Sequence, residues 1–232
     1  MVIENLFNDV KTDDKYLLIK ILKYIDSNFD DFFFQTTFYA SSLVQEYHAS
    51  PFGNEMSYPF YDEMAYLEIY DPNDKINVYK GNLCTELELK GINYSKLDQL
   101  LVSIIEILVD ANKNNSKDLD ILILLGKIYI LLNQIKIAIK VFNACTKLQP
   151  ENADFYKVKA LLYNCLGEYK NALHNINIAI LKNDQNADLY YIRASICKKH
   201  DIKKPFDDIN KAIEIRPDSD LFYIFRSRII AN

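Results

Sequence analysis

The chain has 232 residues, half of them hydrophobic, which is enough apolar surface for a packed core without disulfides or metal staples. Its 27 basic and 32 acidic side chains leave a net charge of −5, which argues against bulk electrostatic attraction to nucleic acid or to an anionic membrane. Only 5 Gly and 6 Pro are present, so barrels and sandwiches with many tight turns are disfavoured and the expected class is all-α.

The opening stretch carries Glu4, Asp9, Asp13 and Asp14 where a secretory signal would need a basic flank and an unbroken apolar run, so a cytoplasmic location is expected. Membrane insertion is not expected either. A bilayer span needs about 18 uncharged apolar residues, and the most apolar run, 119–132, is interrupted by Asp120 and Lys127. Within residues 1–72, Tyr16, Leu17, Ile19, Ile21, Leu22 and Ile25 favour an amphipathic first helix, and Phe29 to Tyr47 a second, with Ser50-Pro51-Phe52-Gly53 as a break. Residues 29–79 hold seven Phe and seven Tyr of the chain's 30 aromatics, a density read first as core and otherwise as a partner or ligand surface.

Residues 73–117 read as a divergent helical hairpin. Leu83, Cys84, Leu87 and Gly91 stand at the spacings of Leu125, Gly126, Tyr129 and Asn133, and Leu100 with Ser103 continues a second helix. Ser95 followed by Asp98 supplies a capping signal. Leu87 and Leu89 also alternate as a strand would, which leaves 76–90 open between helix and strand. Asn112 to Ser116 forms a polar joint.

A period of 34 residues follows. Asn152-Ala153-Asp154-Phe155-Tyr156 returns as Asn186-Ala187-Asp188-Leu189-Tyr190, and the same offset of 34 carries Gly126 to Ala160 to Ala194, Tyr129 to Tyr163, Ala138 to Ala172, and Cys145 to Ala179. Ala212 follows Ala179 at 33, so the third unit has lost one residue in its internal turn. Each unit reads as two helices, small residues allowing close approach and Tyr129, Tyr163 and Phe142 filling the space beside them. Asn133 and Gly167 followed by Glu168 supply the turns.

The last helix, from Asp220 to Ile230, reads Leu221, Phe222, Tyr223, Ile224, Phe225, then Ile229 and Ile230. A helix that closes a stack should offer water a polar face. This one does not, so Leu221, Phe222, Phe225 and Ile229 are expected to self-associate or dock: onto a second copy, as a homodimer, onto a bound partner, or onto the N-terminal segment.

The pattern resembles the tetratricopeptide repeat. The first unit carries it best, with Leu122, Leu125-Gly126, Tyr129, Ala138, Phe142, Cys145 and Pro150; the second keeps Tyr156, Ala160, Tyr163, Gly167, Ala172 and Ala179; the third keeps Tyr190, Ala194 and Ala212, with Cys197 and Pro205 as departures. The resemblance implies a right-handed α-solenoid whose first helices line a concave peptide-binding groove. Its lining would be Ile123, Lys127 and Ile130, then Lys157, Leu161 and Asn164, then Tyr191, Ser195 and Lys198. Such a surface suits a protein or peptide with apolar anchors and acidic side chains. Asp120, Asp154 and Asp188 recur at helix starts, where the dipole explains them without a ligand. Family members that clamp the carboxylate terminus of heat-shock chaperones need a Lys and an Asn one turn apart, an Asn in the next unit and a Lys-Arg pair. Here those positions hold Ile123 with Lys127, Val158, and Asp188 with Ile192, so that clamp is missing.

No constellation points to catalysis. His48, His174 and His200 show no metal or triad spacing, and neither phosphate-cradling glycine motif occurs. Adjacent acids such as Asp207-Asp208 point about 100° apart on a helix and need not converge. Cys84, Cys145, Cys165 and Cys197 form no CxxC and read as reduced, small core groups. No metal or cofactor is expected.

The reading is therefore an all-α chain: a helical aromatic-rich region over 1–72, a divergent hairpin over 73–117, three units over 118–151, 152–185 and 186–217, and a capping helix over 218–232. Residues 1–117 carry a net −9 and 118–232 a net +4. The expected function is non-catalytic protein binding, as scaffold, adaptor or chaperone. Two alternatives stand beside it: an enzyme or effector acting through residues 1–72 with the repeats selecting its substrate, and a self-associating architectural protein.

Overall fold

The computed structural model describes residues 3–8, 14–34, 72–87, 94–114, 118–199 and 205–230. Among them every regular element is helical: a 3-10 turn Ile3–Phe7, then α1 Lys15–Phe34, α2 Pro72–Glu86, α3 Tyr94–Asn114, α4 Leu119–Leu131, α5 Ile135–Leu148, α6 Ala153–Cys165, α7 Tyr169–Lys182, α8 Ala187–Lys199, α9 Pro205–Ile215 and α10 Asp220–Ile230. They form two compact units, one holding the described residues up to Asp30 and from Asn73 to Pro150, the other the described residues among 31–72 and those from Glu151 onward.

In the first unit, Leu18, Ile21, Leu22 and Ile25 line the buried side of α1, while Tyr16 stays exposed under the Lys20 ammonium instead of joining that face. α1 runs on through Phe29 to Phe34, so the residues expected to open a second helix continue the first; the remainder of that second helix to Tyr47, the break at 50–53 and most of the aromatic-rich segment lie outside the described residues. Tyr79 is described and is core, 5.8 Å from the Tyr24 ring. The ambiguity over 76–90 resolves as helix through Glu86. α2 and α3 are tied by Lys80 Nζ to Asp98 at 2.6 Å.

The period of 34 has a physical basis at each helix start. Asp118 caps α4 by accepting from the amides of Asp120 and Ile121 at 3.1 and 3.3 Å; Asn152 accepts from the Asp154 amide and Asn186 from the Asp188 amide, both at 3.0 Å. The hairpin turns close through Asn133 and Gly167, at φ 56° and 73°, the left-handed region that Asn and Gly enter most cheaply.

Small residues sit at the helix crossings. Ala138, Cys145, Ala160, Ala172, Ala179, Ala194 and Ala212 are fully buried. At Gly126 a Cβ would stand 2.7 Å from Phe142 Cε2, so glycine is what lets α4 and α5 approach. In the second unit Ala160, Ile176, Leu189, Ile192, Ile209 and Phe222 belong to one continuous core.

Candidate functional site

The first helices of the three hairpins differ sharply in what they leave accessible. Apart from Asp120 at its start and Lys127, α4, Leu-Asp-Ile-Leu-Ile-Leu-Leu-Gly-Lys-Ile-Tyr-Ile-Leu, carries apolar residues on all sides, and such a helix is largely buried. Lys127 is accordingly only 3 % exposed and Ile130 is buried, with Ile123 half-buried beside them. The expected open basic stripe is corrected here: a lone lysine on an apolar helix is drawn in with its surroundings.

On α6, Lys157 is mostly covered and paired with Asp154 at 2.8 Å, one turn back. Leu161 is half-buried against the core of the second unit. Asn164, one turn further, is buried, and among the described residues nothing donates to its Oδ1.

On α8 the expected groove face is occupied by α10. Tyr191 lies 5.4 Å from Phe222 and 5.1 Å from Phe225, ring centre to ring centre. Ser195 is buried, its hydroxyl donating to the Tyr191 carbonyl at 2.9 Å. Lys198 reaches the Arg228 carbonyl at 3.1 Å and sits over the Phe225 ring; burial lowers its pKa below the usual lysine range, with the Arg228 charge adding to the effect. Tyr191, Ser195 and Lys198 are thus brought together as the bed of the last helix.

This also corrects the expectation for α10. Leu221, Phe222 and Phe225 are buried and Ile229 packs on the same core, so these four residues close the chain's own third hairpin and are not free for a second copy. Tyr223, Ile224 and Ile230 are the exposed apolar residues of this helix.

Several polar contacts were not foreseen. Arg193 donates from Nε and Nη2 to both Asp208 oxygens, at 2.9 and 2.5 Å, and from Nη1 to Asn177 at 2.8 Å, joining α8, α9 and α7. That hydrogen-bonded carboxylate holds the guanidinium pKa above its ordinary value. Arg216 pairs with Asp188 and stacks on Phe222. The thiols are deactivated by burial, which pushes Cys145 up to about 11 and raises Cys84 and Cys197, so they are protonated near neutral pH.

With this geometry in hand, the comparison with known families is decisive for one hairpin: residues 119–152 match the tetratricopeptide repeat model. Residues 119–152 are a tetratricopeptide repeat. Solved structures similar to the chain include a double mutant of MamA RS-1, 15 % identical with a TM-score of 0.52 over 70 % of this chain and 85 % of that one. Another is TTC0263, a thermophilic tetratricopeptide-repeat protein of Thermus thermophilus, 14 % identical with a TM-score of 0.50 over 85 % of this chain and 100 % of that one. At such identities the likeness is one of fold, the all-α solenoid class. No curated protein matches the sequence. Tetratricopeptide repeats serve in general as protein-interaction scaffolds, and among the described residues no helix is long and apolar enough to cross a membrane.

Proposed function

We propose that the chain is a non-catalytic cytoplasmic adaptor or chaperone that holds a segment of a partner protein along the α6 face carrying Lys157, Leu161 and Asn164. The observation that carries this reading is the Asn164 oxygen. It is buried without a donor among the described residues, a condition that costs about 1–3 kcal/mol and that a peptide backbone N–H would relieve. Leu161 supplies an apolar contact one turn away, and Lys157 an ammonium that orients an acidic side chain more than it adds affinity. Lys127, Ile130, Tyr191 and Ser195 are left out of this surface because they are as buried as Asn164 but hold no polar atom lacking a partner, and Lys198 because α10 engages it.

Peptides selected from a displayed library on the full chain provide the test, their affinities then being measured against Asn164→Leu and Lys157→Glu. The expected result is about a tenfold loss for Asn164→Leu and a smaller, salt-dependent loss for Lys157→Glu, with urea midpoints showing both variants folded. Selected peptides that bind both variants as tightly as the parent would remove α6 as the binding face.

A further inference from the structure

α10 repeats the first-helix surface of α8, one period on, without a second helix to cover it among the described residues. An offset of 33 takes Tyr190 to Tyr223, Arg193 to Arg226, Ala194 to Ser227, Cys197 to Ile230, and Asn177 to Asn210. The correspondence is structural as well. Arg193 lies over Tyr190 at 5.6 Å and donates to Asn177 on the preceding helix; Arg226 lies over Tyr223 at 5.1 Å and donates to Asn210 on the preceding helix at 3.4 Å.

The difference is what lies outside. On α8 this face receives α9, whose small residue Ala212 is buried in the same core as Ala194 and whose Asp208 carboxylate pairs with Arg193. Tyr190 and Cys197 are left 9 % and 6 % exposed, against 39 % and 67 % for Tyr223 and Ile230. Ser227 is open, and among the described residues no carboxylate reaches Arg226.

We propose that the Tyr223–Arg226–Ser227–Ile230 face of α10 docks an amphipathic helix of a partner protein that carries a carboxylate one turn before a small residue, as α9 does with Asp208 and Ala212. The small residue lets the incoming backbone settle over Ser227, its apolar side covers Ile230 and Tyr223, and its carboxylate forks onto Arg226. The charge of the occupant is set by the equivalent pair in the same fold. This surface is separate from the α6 face, and either stands without the other.

The probe is a stapled, fluorophore-labelled peptide of the α9 sequence, Pro205–Ile215, titrated with the full chain and read by anisotropy. Saturable binding is expected, weakened about tenfold or more by Ile230→Asp and by Arg226→Glu. A peptide with Asp208→Lys should bind the parent chain at least about tenfold more weakly and regain affinity for the Arg226→Glu chain. Ile230 is on the surface, so its variant keeps the parent circular dichroism and serves as the control for location. No binding to the parent chain overturns the proposal, as does unchanged binding to Ile230→Asp. Sedimentation that shows the chain pairing with itself, abolished by Ile230→Asp, also overturns it by giving the face to a second copy.

Discussion

The α4–α5 and α8–α9 hairpins begin with first helices of 13 residues and place small residues at the same crossings, yet the seam beside the crossing is closed by opposite chemistry. Where the first hairpin has Leu125 and Val141, the third has Arg193 and Asp208, bonded through two nitrogens and two oxygens. The middle hairpin has Lys159 and Asn175 there: the ammonium stacks 5.3 Å from the Tyr156 ring with its pKa lowered by burial, and the amide donates to the Asn171 carbonyl at 2.8 Å. The repeat thus dictates the small and bulky positions that set the approach of two helices. The remainder of the seam need only be complementary, and a paired charge serves as well as two hydrocarbons because the attraction offsets much of the desolvation cost.

The comparison breaks most visibly at the end of the third hairpin. Phe222→Ala removes a fully buried ring that packs on Tyr191 and should cost about 3–5 kcal/mol, measured by urea unfolding followed through circular dichroism. In the first hairpin, Gly126→Ala forces the Phe142 ring to move and should cost about 1–3 kcal/mol; an unchanged urea midpoint would mean that α4 and α5 do not touch there. Asn152→Ala deletes the cap of α6 and should cost about 1 kcal/mol, read from the same unfolding curves.

The smallest effect is a pH dependence. The Cys145 thiol titrates near 9.0 when unfolded and near 11 in the fold, so deprotonation favours the unfolded chain first. Its contribution to stability is whole below pH 9 and falls as pH rises toward 11. The urea midpoint of the parent should therefore drop relative to Cys145→Ala across that window and run parallel to it below.

The repeated hairpins were legible because their signals are local. Caps, turn residues and small side chains recur at a fixed spacing, and each has one physical role wherever it occurs. The accessible face was less legible, since accessibility depends on what lies against a helix. Lys127 could have been read as buried from the apolar residues that surround it on α4, a signal present in its own 13 residues. Tyr191, Ser195 and Lys198 could not, because the helix that covers them starts at Asp220. The Arg193–Asp208 pair was visible only as a departure from a leucine position, and departures look alike until their partner is seen.

The account rests on the first and third hairpins sharing one geometry behind two chemistries, and a double-mutant cycle on Arg193→Leu and Asp208→Val tests that most directly. Asp208→Val alone should cost about 2 kcal/mol, less than a fully buried pair because Arg193 keeps some contact with water. The double variant, which copies the Leu125 and Val141 seam, should return to within about 1 kcal/mol of the parent. A double variant less stable than either single one would show that the two hairpins are not built alike.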